Sequence, residues 1–170
     1  MFTYAEVGAT LHESLPAGYR HLRYRTLIGR DAGGAVFDCA AEAILTFRMH
    51  RRTGARIRTD AVRAAPGVRV TVGAGPLRVP CEVVWTAEEP HRAGFGYGTL
   101  PGHQARGEEA FLVERDADGH VWFSVTAFSR PARPLMRLGG PVAVLAQHLY
   151  ARACGRALRK VCAASRTVDP

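Results

Sequence analysis

Two adjacent carboxylates, Glu108 and Glu109, follow a turn-rich loop, Thr99-Leu100-Pro101-Gly102-His103-Gln104-Ala105-Arg106-Gly107, that carries an imidazole and a guanidinium. Acid–base chemistry is built from such groups, and loops at the mouths of cavities often bear them. Successive residues of a strand point to opposite faces, so only one of the two acids can face inward. Glu109 shares its face with Phe111 and Val113 and is the inward candidate. A carboxyl beside an apolar pocket has its pKa raised unless it is paired, which suits a general acid or base. The competing reading is that Glu109 pairs with Arg106 or another arginine and simply fastens the loop. His50 falls fourteen residues after Val36 and seven after Ala43, which places it at the edge of a buried helical stripe near its carboxyl end. A trio of His50, His103 and Glu109 can orient a ligand or move protons where the fold brings them together, but their spacing alone does not do so. Satisfied or exposed histidines are the blander alternative.

Other chemistries find less support. Cys39, Cys81, Cys154 and Cys162 form no CxxC pair, so they read as buried thiols rather than a disulfide framework or a zinc site. Ser124 and Ser129 lack a GxSxG elbow and the cysteines lack a local catalytic signature, so covalent catalysis finds little support. No metal and no cofactor is expected. In Gly94-Phe95-Gly96-Tyr97-Gly98 the glycines recur at a spacing of two, not as GxGxxG between a strand and a helix, so a phosphate loop is not indicated. All three project from one sheet face, where missing side chains admit bending or the close approach of a helix. On the opposite face Phe95 and Tyr97 are expected to join Trp85, Trp122, Phe47 and Tyr24 in an aromatic lining suited to a flat or apolar ligand. The alternative is a filled core.

These residues need a frame. His21 to Ile28 alternates with the period of a half-buried strand, and after a turn over Gly29 to Gly34 the apolar positions Val36, Phe37, Ala40, Ile44 and Phe47 predict one amphipathic helix ending near Arg52 or Gly54. Val68 to Val72, Cys81 to Thr86, Ala93 to Thr99, Glu108 to Val113 and His120 to Phe128 read as further strands, the last two joined by the turn Asp116-Ala117-Asp118-Gly119. From Pro141 to Val161 the residues Val142, Leu145, Leu149, Ala153, Ala157, Leu158 and Val161 predict a long helix buried along that stripe. Strands joined by short turns must be antiparallel, so the expected class is α+β, a curved antiparallel sheet gripping a long C-terminal helix. The hollow between them is the natural ligand site.

Length and charge set the outer bounds. A chain of 170 residues fits a single domain, with an ordered core expected over about residues 3–163. Its 47% hydrophobic and 22% charged residues exclude a disordered chain, and no apolar run is long enough to span a bilayer. The amino terminus shows no secretory signal, so a cytoplasmic location is expected. The net charge of +8 is uneven: Met1 to Ser129 holds 15 basic against 14 acidic residues, whereas Arg130 to Pro170 holds eight against Asp169 alone. That segment reads either as a solvated helix face or as a surface for an anionic partner such as a lipid headgroup or an acidic protein. Without interleaved aromatic residues, nucleic acid is not expected.

The stretches TYAEVGAT, IGRDAGGAVFDCAAEAILTFRMHR, GPLRVPCEVVW, FGYGTLPGHQARGEEAF and VTAFSRP resemble the bacterial and plant family described as domain of unknown function 1990 (UPF0548-like), over roughly Thr3 to Arg159. The element order also resembles the START and birch-pollen-allergen-like helix-grip superfamily. The resemblance implies an internal cavity for lipids, sterols, polyketides or plant hormones, with cyclases and hydrolases among its members. One fold hosts many activities, so it transfers a place to look more than a reaction. The expected function is binding of a small apolar or aromatic molecule by His50, Trp85, Phe95, Tyr97, His103, Glu109 and Trp122. The alternative is a cofactor-independent cyclase, dehydratase or hydrolase using the same His/Glu groups.

Overall fold

In a computed structural model of the chain, residues 1–30, 33–74, 77–132 and 140–166 are described; residues 31 and 32 of the expected Gly29 to Gly34 turn lie outside them. The alternating segments become strands β1 (Arg20–Arg30), β2 (Arg56–Arg58), β3 (Arg69–Ala74), β4 (Leu77–Glu89), β5 (Arg92–Thr99), β6 (Ala105–Arg115) and β7 (His120–Pro131). They form one antiparallel sheet in the order β1-β7-β6-β5-β4-β3-β2. The first strand closes against the last, so among the described residues β1 and the three-residue β2 are the edges. The short β2 has too few residues to show a period, which is why the sequence pattern does not reveal it.

One face of this curved sheet packs on helices α1 (Ala35–Leu45), α2 (Arg48–Arg52) and α3 (Gly140–Arg166). Phe95, Phe111 and Phe123 are fully covered there, together with Val36, Ala40 and Ile44 of α1 and Ala151, Cys154 and Leu158 of α3. Each such large side chain contributes about 1.5–3 kcal/mol by leaving water. The architecture is the α+β helix-grip arrangement expected from the strand and helix order.

Three local departures decide where functional side chains end up. The expected single helix over residues 36–52 is broken at Phe47, whose φ of 59° is left-handed and ends α1 in the manner of a C-terminal αL cap. This conformation is strained for a side chain with a Cβ, and the Phe47 ring, 1% exposed, holds it by burial in the core. Second, β4 carries a bulge between Val83 and Trp85: Val83 pairs with Tyr97 but Trp85 pairs with Gly96, so every residue after Val84 changes face. Third, α3 buries the C-terminal part of the expected stripe, Ala157, Leu158 and Val161, but not its N-terminal part. Ala151, Cys154, Ala157, Leu158, Val161 and Cys162 are buried, whereas Val142, Leu145 and Leu149 are exposed.

The other sheet face is covered by the N-terminal segment. Its anchor is Glu108, which accepts hydrogen bonds from the Tyr4 hydroxyl (2.8 Å), the Gly8 amide (2.8 Å), the Thr10 amide (3.0 Å) and the Thr10 hydroxyl. Gly98 lies directly beneath, where a Cβ would fall 2.1 Å from the Tyr4 hydroxyl oxygen. The close approach permitted by the glycine row is therefore made by Trp85 at Gly96 and by Tyr4 at Gly98, not by the gripped helix.

A buried polar cluster under the C-terminal helix

The strand alternation that turns Glu108 outward turns Glu109 inward, opposite Tyr97 on β5 and Ala127 on β7. Its carboxylate accepts a hydrogen bond from the Tyr97 hydroxyl at 3.0 Å and has no arginine partner among the described ion pairs. Burial pushes the Glu109 carboxyl up to about 7, against the Tyr97 hydrogen bond, which favours the ionised form. The Glu109 side chain is half-buried, on the face of the sheet that packs on the helices. Burial and the neighbouring Glu109 charge together hold the Tyr97, Cys81 and Cys154 protons more tightly than usual.

The break at Phe47 rotates the following turn inward, so His50 lies not at the edge of a stripe but in the core, 1% exposed. Its ring stands edge-on to Phe111 at 4.6 Å between centroids and is surrounded by Phe95 at 5.7 Å, with Phe47, Tyr97 and Tyr150 each at 6.3 Å. Neither ring nitrogen has a hydrogen-bond partner. Burial, reinforced by the Arg51 charge, lowers its pKa to about 3, so the imidazole is neutral and offers one donor and one acceptor. The Tyr150 hydroxyl, brought in by α3, is buried beside the Cys154 thiol; that thiol is at best a weak partner, and no oxygen or nitrogen bonds the hydroxyl. Buried polar groups without partners are rare, because each forfeits its hydration. Here the groups without a nitrogen or oxygen partner belong to two side chains 6.3 Å apart between ring centroids, within the shell that also holds Glu109.

The fold therefore brings together His50, Phe95, Tyr97 and Glu109 and separates the other three candidates from them. His103 is tied into its own loop, where Nδ1 accepts the Ala105 amide at 2.9 Å and burial lowers the pKa to about 4. Trp85 is carried to the outer face by the bulge, and its indole N–H donates to Thr10 Oγ1 at 3.0 Å. Trp122 is also outside, because Val121, Phe123 and Val125 take the inward positions of β7. Its N–H donates to Asp116 at 3.0 Å and the Arg25 guanidinium stacks 4.1 Å above its ring. Tyr24 and Phe47, expected in the same lining, are on the inner side. Sequence reasoning missed Tyr150, Cys81 and Cys154. The signal for two of them was available: Tyr150, Cys154, Leu158 and Cys162 recur at intervals of four along α3.

Among the described residues no helix is long and apolar enough to cross a membrane. One cluster with metal-ligating atoms occurs there, Asp116, Asp118 and His120 in the β6–β7 turn, where Asp116 already accepts from Trp122 and from the Asp118 and His120 amides.

Known proteins support this architecture. Among solved structures, a hypothetical protein of Helicobacter pylori superposes with a TM-score of 0.62 at 15% identity, covering 83% of this chain and 86% of its own. A point mutant of norcoclaurine synthase from Thalictrum flavum, in complex with a transition-state analogue, gives 0.60 at 10% identity over 90% of this chain and 99% of its own. These likenesses establish the helix-grip fold and nothing finer. In sequence, a UPF0548 protein of Deinococcus radiodurans is 37% identical over 171 residues, spanning 92% of this chain and 85% of that protein. A UPF0548 protein of Arabidopsis thaliana is 41% identical over 90 residues, spanning 49% of this chain and 44% of that protein. The family model described as "Domain of unknown function (DUF1990)" matches residues 3–157, and to that family this chain belongs.

Proposed function

We propose that the protein binds a small apolar or aromatic molecule in the space between the sheet and α3, with the ligand's polar end held by His50, Glu109, Tyr97 and Tyr150. The observation that carries this reading is a pair of under-satisfied side chains inside an aromatic shell: both nitrogens of His50 lack partners, and the Tyr150 hydroxyl has none but the Cys154 thiol. A ligand with a hydroxyl, carbonyl or amine at one end and an apolar body supplies what those groups lack, and Phe47, Phe95 and Phe111 supply the apolar contact. His103, Trp85 and Trp122 are left out of this set by their placement. The four free cysteines suit a reducing, cytoplasmic setting, and the chain acts as one domain.

The test is a fluorescence titration with N-phenyl-1-naphthylamine, a neutral apolar aromatic probe. Saturable binding at one probe per chain, weakened by Tyr150→Phe and by His50→Leu when a hydroxylated naphthyl analogue replaces the probe, supports the reading. A non-saturating signal, or identical affinities in all three proteins, overturns it.

A second reading rests on Glu109. A carboxyl whose pKa lies near 7 beside the Tyr97 hydroxyl can accept a proton in one step and return it in the next, as an acid–base enzyme of cyclase, dehydratase or hydrolase type requires. Under that reading Glu109→Gln abolishes turnover while leaving ligand affinity nearly unchanged; under the carrier reading there is no turnover to lose.

A further inference from the structure

The outward face of α3 changes character along its length. Val142, Leu145 and Leu149 stand 72%, 60% and 50% exposed, at spacings of three and four residues. The same line continues, at the same spacing, through the exposed Arg152, Arg156 and Lys160, while Arg159 is tied back to Thr26 Oγ1 and the Leu27 carbonyl. From Gly140 to Arg166 there is no Asp or Glu. The apolar stretch is about 10 Å long at 1.5 Å per residue, and the basic stretch about 12 Å. Together the three apolar side chains leave on the order of 300 Å² of hydrocarbon in water, comparable to the largest patch on a typical soluble monomer.

This surface needs an occupant that is apolar at one end and anionic at the other. A second copy of the chain is a poor fit, since pairing two such helices sets arginines against leucines or against each other, with no carboxylate on either helix to separate them. An acidic protein would have to offer a recess for the projecting side chains and carboxylates in register with three basic ones. A bilayer containing anionic lipid provides both without any matched shape: acyl carbon for side chains that project, and phosphates at the depth of the headgroups. We propose that α3 docks the protein on an anionic membrane surface, tilted so that Val142, Leu145 and Leu149 enter the acyl boundary while Arg152, Arg156 and Lys160 lie at the phosphates. The helix carries Tyr150 and Cys154 on its buried side, so docking sets the internal cluster beside the bilayer. The inference rests on the exterior of α3 alone and stands or falls separately from the ligand reading.

The test is flotation of the full chain with vesicles of phosphatidylcholine alone or with about 30% phosphatidylglycerol, compared for the wild type, Leu145→Ser/Leu149→Ser and Arg152→Gln/Arg156→Gln. All substituted side chains are exposed, and circular dichroism confirms that each variant keeps its fold. The wild type is expected to float with the anionic vesicles and at least about tenfold more weakly with phosphatidylcholine, each variant losing about tenfold or more of that binding. Failure of the wild type to float overturns the proposal. So does undiminished flotation of the leucine variant, which reduces the interaction to charge adsorption, or of the arginine variant. A dimer in sedimentation velocity that the leucine variant abolishes, or retention on polyglutamate without flotation, overturns it in favour of a second copy or an acidic protein.

Discussion

Replacing Glu109 by Gln keeps the shape of the side chain and an oxygen for the Tyr97 hydroxyl, and removes only the ability to ionise. In the unfolded chain this carboxyl titrates near 4.5, in the folded protein near 7. Below pH 4.5 both states are protonated and the group has no effect on stability. Between pH 4.5 and 7 the folded state holds the proton that the unfolded state has released, so stability falls as pH rises; above 7 the loss is constant. At about 1.4 kcal/mol for each pH unit between the two values, the loss reaches about 3 kcal/mol. The stability of Glu109→Gln relative to wild type should therefore rise by about 3 kcal/mol between pH 4 and pH 8, or about 6–12 °C in Tm for a chain of this size. Any fixed cost of burying the amide is the same at both pH values and cancels from the difference. Urea denaturation at pH 4, 6 and 8 measures it. A difference that does not change with pH means that Glu109 ionises as freely in the folded state as outside it, and the argument for an interior carboxyl is refuted.

His50 makes the opposite contribution. Its pKa falls from 6.5 to about 3 on folding, so the stability it permits is complete above pH 6.5 and drains away as pH falls toward 3, at about 1.4 kcal/mol per pH unit; His50→Leu should flatten the acid limb of a Tm-versus-pH curve. Glu108→Gln sets an NH2 group against donors from Tyr4, Gly8 and Thr10 and should cost about 2–4 kcal/mol, with trypsin cutting at Arg20 faster than in wild type. Gly98→Ala puts a methyl group 2.1 Å from the Tyr4 oxygen and should free the same N-terminal segment at about 1–3 kcal/mol, read by the same digestion. Equal digestion rates in wild type and both variants would mean that this segment is not held by Glu108.

The order of strands and helices follows from short-range pattern because antiparallel neighbours joined by tight turns leave few topologies open, and the inward choice of Glu109 over Glu108 follows from parity alone. For Trp85 and His50 the pattern was defeated by one residue that changed phase. An extra residue at Val84 sent Trp85 to the outside, and a left-handed Phe47 carried His50 from the helix margin into the core. Trp122 differs: it alternates with the inward Val121 and Phe123, so parity alone puts its large ring outside. On α3 the expected stripe holds at Ala157, Leu158 and Val161 and fails at Val142, Leu145 and Leu149, through a tertiary contact invisible in sequence. A Cβ at Gly155 would lie 2.9 Å from Thr26, so the helix presses that side against β1 and leaves Val142, Leu145 and Leu149 outward.

In the proposed function His50, Tyr150 and Glu109 surround a space that a polar group completes. The most direct measurement is a crystal structure near atomic resolution of protein purified without denaturation. Density for a small molecule or ordered waters is expected within hydrogen-bonding distance of the His50 nitrogens and the Tyr150 hydroxyl. An interior packed solid, with those groups turned to satisfy one another and no density between them, would contradict it.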